Sequence, residues 1–205
     1  MDKNTFDKYW AKAISYIFNP LIIPFFGIIV ILYSNTYISL LPSNAKYLIL
    51  SIVFTGTFIL PLCFVPMYMY LKVIKSIDME DRLQRILPLA VTIILYSLTY
   101  YFLIKVSIPF IGSFLLSVLF TLIILLVLLF KWKISFHTAA IGGLTALILG
   151  IMLRLNADIM TWFICSIIIS GLVATARLIL QKHSLFEVAT GYLIGFFTVF
   201  IFIII

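Results

Sequence analysis

Apolar runs of about twenty residues succeed one another along nearly the whole chain, broken only by short polar punctuation, and no soluble fold can cover that much hydrophobic surface. Of 205 residues, 64% are apolar and only 10% are charged. The mean hydropathy is +1.26, whereas a soluble domain needs far more charge on its surface. A membrane-crossing helix takes about 20 predominantly apolar residues. On that rule the sequence predicts seven spans, near 13–33, 47–71, 86–104, 108–130, 134–153, 159–180 and 185–205. The expected fold is therefore all-α: a polytopic transmembrane helical bundle with six or seven spans. It forms one membrane domain over 1–205, with 1–46 as an N-terminal segment and first span and 47–205 as the core. No long polar linker, low-complexity tract or internal repeat divides it. The first stretch holds Asn19, Pro20 and Pro24, lacks a small-residue cleavage site and follows a mixed-charge segment with Asp2, Lys3, Asp7, Lys8 and Lys12. It reads as a span rather than a signal peptide.

Charge narrows the partners. The formal net charge is +7, but Lys and Arg sit at the ends of spans rather than on a soluble face, which favours the lipid bilayer over nucleic acid. Cys63 and Cys165 both fall inside apolar spans, where a thiol acts as a small hydrophobe, so neither a disulfide framework nor a thiolate metal site is expected.

Polar residues gather in three places: 72–85, 131–137 and 177–187. Each helix must cross the bilayer fully to satisfy its backbone, and two crossings separate each cluster from the next, so all three fall on one side. That side carries Lys3, Lys8, Lys12, Lys72, Lys75, Arg82, Arg85, Lys131, Lys133, Arg177 and Lys182, against Lys46, Lys105 and Arg154 on the other. The positive-inside rule then puts the clusters in the cytoplasm, and removing Lys75, Arg82, Arg85 and Arg177 from the count as candidate site residues leaves the bias in place.

Ionisable groups are costly at membrane depth, so a cluster of them at the end of an apolar helix marks a candidate site. His183 and Glu187 are four residues apart; on one helical face the carboxylate accepts from one imidazole nitrogen and leaves the other pointing outward, as a nucleophile or base requires. Arg177 needs a turn at Gln181–Ser184 to join them. Read alone, Arg177 and Lys182 serve equally well as span anchors with His183 a loop residue. In the second cluster His137 is a candidate proton donor for a leaving group, although Ser135 could simply cap a helix. The third holds Lys72, Lys75, Asp78, Glu80, Asp81, Arg82 and Arg85, closed by Pro88. Its cations could clamp phosphoryl oxygens, and by itself it reads more readily as a solvated connection. Asp78, Glu80 and Asp81 lack a further ligand at metal-binding spacing, so no metal site is expected.

The three clusters resemble the blocks of the type 2 phosphatidic acid phosphatase superfamily: a Lys with an Arg-Pro seven residues on, a Pro-Ser-Gly-His, and a Ser-Arg-x5-His-x3-Asp. Here they read Lys75-x6-Arg82, Ile134-Ser135-Phe136-His137 and Ala176-Arg177-x5-His183-x3-Glu187, the last continued by Val188, Gly191 and Gly195. The likeness covers roughly residues 50–205. It departs at Glu187 (family Asp), at Phe136 (family Gly) and at Leu83, which follows Arg82 in place of Pro. Arg85 with Pro88 offers a rival register, and two apparent spans separate the first and second blocks.

The resemblance implies that His183 attacks phosphorus to give a phosphohistidine, oriented by Glu187, while His137 protonates the leaving alkoxide. It implies that Lys75, Arg82 or Arg85, Ser135 and Arg177 hold the phosphate, with no metal or other cofactor required. The substrate class it implies is a phospholipid or polyprenyl phosphate. A cytoplasm-facing site in a bacterial inner membrane favours phosphatidylglycerophosphate or phosphatidate. An outward-facing one favours undecaprenyl diphosphate or a lipid A phosphate, and a degenerate member would bind or move a lipid phosphate without hydrolysing it.

Overall fold

The computed structural model describes residues 3–74, 81–105 and 108–205. They form helices α1 (Lys3–Ile17), α2 (Ile23–Tyr33), α3 (Ser43–Phe54), α4 (Leu60–Tyr70), α5 (Ile86–Ile104), α6 (Pro109–Leu129), α7 (Phe136–Leu155), α8 (Met160–Ile179) and α9 (Leu185–Ile204), with no strand among the described residues. Among the described residues six stretches are long and apolar enough to cross a membrane: 43–70, 83–104, 109–129, 136–155, 160–179 and 185–204. The protein is a polytopic helical membrane protein.

The expected first span over 13–33 is not one helix. The chain turns at Asn19–Pro20, where the Asn19 side chain accepts from the Leu21 N–H at 3.0 Å, and proline denies the helix its next donor. Before the turn, α1 is amphipathic, with charged Lys8 and Lys12 on a helix whose Ala11 is fully buried, and it packs chiefly on α8. After it, α2 has only 11 residues, about 16 Å of rise, too short to cross alone. Ile28, Ile31 and Leu32 on α2 are fully buried, so it is a core helix packed against α3, α6 and α7.

The span over 43–70 is continuous but contains a π turn, Thr55–Ile59, just before Pro61. Such a turn relieves the ladder where proline cannot donate. It also presents the Thr57 carbonyl sideways to the Tyr96 hydroxyl of α5 at 3.1 Å.

The closest helix pair is α7 with α9. A Cβ at Gly195 would run into the Ala139 backbone, one at Gly142 into the Tyr192 carbonyl, and one at Gly191 would meet the Ser135 carbonyl at 2.6 Å. Small residues let the two backbones approach in lipid, where packing rather than hydrophobic exclusion holds helices together. The consequence is local and functional: the N-terminal ends of α7 and α9, which carry His137 and Glu187, are pressed together.

Candidate active site

The turn from α8 to α9 is only five residues long, 180–184. Gln181 takes a left-handed conformation, φ 51°, its N–H donates to the Leu178 carbonyl at 2.9 Å and the Lys182 N–H to the Arg177 carbonyl at 3.3 Å, a Schellman cap. The turn folds the chain back so that Arg177, at the end of α8, and His183, at the start of α9, line the same cavity.

α9 then opens with a reciprocal capping box. The Ser184 hydroxyl accepts from the Glu187 N–H at 3.4 Å, and the Glu187 carboxylate accepts from the Ser184 N–H at 3.2 Å. The same carboxylate oxygen lies 2.9 Å from His183 Nδ1. Because a carboxylate accepts, Nδ1 carries the proton and Nε2 keeps its lone pair. The extra methylene of Glu over Asp is therefore used: it lets one side chain reach both the imidazole and the N-cap amide.

His183 is 7% exposed. Burial first, then the positive charges of Arg85, Arg177 and Lys133, lower its pKa from the ordinary histidine value to about 3. It is neutral near pH 7, with the Nε2 lone pair available.

α7 begins at the N-cap Ser135, whose hydroxyl accepts from the Thr138 N–H at 3.5 Å while its own N–H donates to the Glu187 carbonyl at 3.4 Å. Ser135 thus locks the second cluster to the third, and it is fully buried behind the cavity wall rather than lining it. Phe136 and His137, the next two residues, do line the cavity.

Of the described residues of the first cluster, Arg85 lines the cavity. A short 3-10 turn, Leu83–Arg85, precedes α5 and points Arg85 inward, where it is 7% exposed and lines the cavity. Its guanidinium carbon lies 5.7 Å from the centre of the Phe136 ring. Arg82 is half-buried, is not part of the cavity lining and donates to the Lys131 carbonyl. Lys75, Asp78 and Glu80 lie outside the described residues.

The cavity that joins these side chains is about 270 Å³. One end carries Arg85, His137, Arg177 and His183; from there it runs between α2, α4, α5, α6 and α7 to Phe114, Gly143 and Val199. Its threonines do not make the deeper part polar, because Thr92 and Thr121 donate to carbonyls of their own helices at 2.8 and 2.9 Å and present methyl groups. The result is a cationic head on an apolar passage.

Three contributors were not read from the sequence. Ser15, on α1, places its carbonyl 3.2 Å from His137 Nε2 and its hydroxyl 3.5 Å from an Arg177 nitrogen, so the N-terminal helix closes the polar end. Lys133, counted above only as a boundary charge, stands close enough to bias His183. The Ser184-x-x-Glu187 capping box was legible as a helix-start pattern, and would have fixed the beginning of α9. Among the described residues no three His, Cys, Asp or Glu side chains gather where they could hold a metal ion.

No protein-family model matches the chain, nor does any curated protein or any solved structure.

Proposed function

We propose that this protein is an integral-membrane phosphatase that hydrolyses a lipid phosphate through a phosphohistidine, without a metal, as its resemblance to the type 2 phosphatidic acid phosphatases implies. The observation that carries the reading is the buried His183, held by Glu187 through Nδ1, in a cavity whose polar end also carries Arg85, Arg177 and His137 and whose remainder is mainly apolar. A head group at the cations and a hydrocarbon chain in the passage match that division.

In the first half-reaction His183 Nε2 forms a bond to phosphorus as the bond to the lipid oxygen breaks, and His137, which takes up a second proton when the phosphate dianion binds beside it, gives that oxygen its Nε2 proton. The Ser15 carbonyl, which accepts from His137 Nε2, gives way to the leaving oxygen. Arg85 and Arg177 bind the equatorial oxygens as charge spreads over them. Water, giving a proton back to His137, then cleaves the phosphorus–nitrogen bond, frees phosphate and restores neutral His183.

The excess of Lys and Arg at the site end favours a cytoplasmic face in a bacterial inner membrane, and with it phosphatidylglycerophosphate or phosphatidate. An undecaprenyl diphosphate or lipid A phosphate is the corresponding substrate for an outward-facing site. The same cavity would serve a protein that binds or moves a lipid phosphate without cleaving it.

The test is phosphate release by the purified protein in mixed micelles containing EDTA, across these lipids, beside His183→Ala. Release that survives chelation and disappears in His183→Ala supports the enzyme. Binding without release, unchanged in the variant, replaces it with a non-hydrolytic lipid carrier.

A further inference from the structure

The residue after the N-cap of α7 is a phenylalanine, and its ring faces a cation rather than the protein core alone. Phe136 packs beside Leu89, Ile134 and their neighbours, and it lines the cavity next to His137. Arg85 reaches the cavity from the 3-10 turn that precedes α5, with its guanidinium carbon 5.7 Å from the Phe136 ring centre, inside the range over which an aromatic face attracts a cation.

Arg85 is long and flexible, and it must be held if its fork is to meet phosphoryl oxygens in one orientation. Arg82, three residues earlier, does not take that place: it lies outside the cavity lining and donates to the Lys131 carbonyl. A small residue at 136 would take this aromatic face away from Arg85.

We infer that Phe136 is a positioning residue, a platform that fixes the Arg85 guanidinium at the polar end of the cavity for binding a phosphoryl group. This rests on the proposed lipid-phosphate site and deepens it: Phe136 acts through Arg85. The aromatic ring and the inward arginine are one device, so neither can be replaced without regard to the other.

The experiment replaces Phe136 in the full chain with mono-, di- and trifluorinated phenylalanines, which drain the ring face of negative charge while barely changing its shape. Two quantities are measured: affinity for hexadecylphosphonate, which cannot be hydrolysed, and kcat/KM for phosphate release. The affinity is expected to fall stepwise with each fluorine, about three- to tenfold across the series, with kcat/KM following, and the dependence is expected to vanish in the Arg85→Ala background. Phe136→Trp is expected to retain the affinity that Phe136→Leu loses.

A flat series in the protein with Arg85 intact, or an equal slope with Arg85→Ala, overturns the inference, as does a failure of the phosphonate to bind. Graded phosphonate binding with no turnover of any lipid phosphate overturns the phosphatase reading and leaves the platform standing. Turnover with a flat series does the reverse.

Discussion

The two ends of the bundle use the same residue types to opposite effect. At the end away from the cavity, each cation is consumed by a neighbour. Lys46 donates to the Ser39 carbonyl at 2.7 Å and sits over the Tyr33 ring. Lys105 donates to the Tyr101 hydroxyl at 2.9 Å, and Arg154 donates to the Ile203 carbonyl near the end of α9. These are anchors and caps, as expected of Lys and Arg at span ends. At the other end Arg85 and Arg177 are drawn from different helices to one cavity, beside two histidines, the only two in the chain. A charge at a span end is thus informative only through what it faces. The rim residue Arg82, bonded to a loop carbonyl, shows that an anchor can sit within a few residues of a site cation.

The contrast can be broken by substitution. The largest effect is expected at His137: replacing it with alanine removes the proton donor and should lower kcat by about 10²- to 10⁴-fold, more for a lipid with a basic alkoxide leaving group than for an aryl phosphate. Equal losses on both substrates would remove His137 from the acid role.

Next in size is the pair Arg85 and Arg82. Arg85→Ala should reduce kcat/KM by about 10²-fold, whereas Arg82→Ala should change it by less than about threefold, because a screened surface contact contributes little. Losing Arg85 also removes a positive neighbour of His183. The imidazole, whose pKa is held near 3, must then bind protons more readily. The acid limb of the pH–rate profile should therefore move upward in Arg85→Ala and stay put in Arg82→Ala. Similar losses and similar profiles would dissolve the distinction between site and rim.

Glu187 separates charge from cap. Gln at this position can still close the capping box but cannot stabilise a positive imidazole, so Glu187→Gln should keep its thermal stability while losing about 10²-fold in kcat. Glu187→Asp keeps the charge and shortens the reach, and about a tenfold loss is expected. If the aspartate were the worse of the two, the cap would matter more than the charge.

The smallest effects belong to the far end. Lys46→Ala, Lys105→Ala and Arg154→Ala should each leave phosphate release within about twofold and lower stability by about 1 kcal/mol or less. A large activity loss in any of them would mean that the two ends are coupled.

The six long spans were readable because about twenty apolar residues admit almost no other structure in lipid. The third cluster was readable for a similar reason: His183 and Glu187 at a four-residue spacing meet whenever a helix starts between them, and the structure brings them to 2.9 Å. What the sequence hid was set by packing. The stretch 13–33 has the composition of a span, and only the turn at Asn19–Pro20 divides it into a surface-seated α1 and a buried α2. Arg82 and Arg85 are equivalent in composition, and a 3-10 turn decides which faces inward. Ser15 carries no local signal because its carbonyl is brought to His137 from 122 residues away and its hydroxyl to Arg177 from 162. Ser135 kept the capping role that its position suggested.

The most direct test is to trap the covalent intermediate. The purified protein would be mixed with a lipid phosphate labelled at phosphorus, quenched in the first turnover, and examined for label on the protein. The account predicts an acid-labile, base-stable phosphoprotein whose label maps to His183 and which is missing from His183→Ala and accumulates when hydrolysis is slowed. Phosphate release that proceeds at full rate in His183→Ala would contradict it.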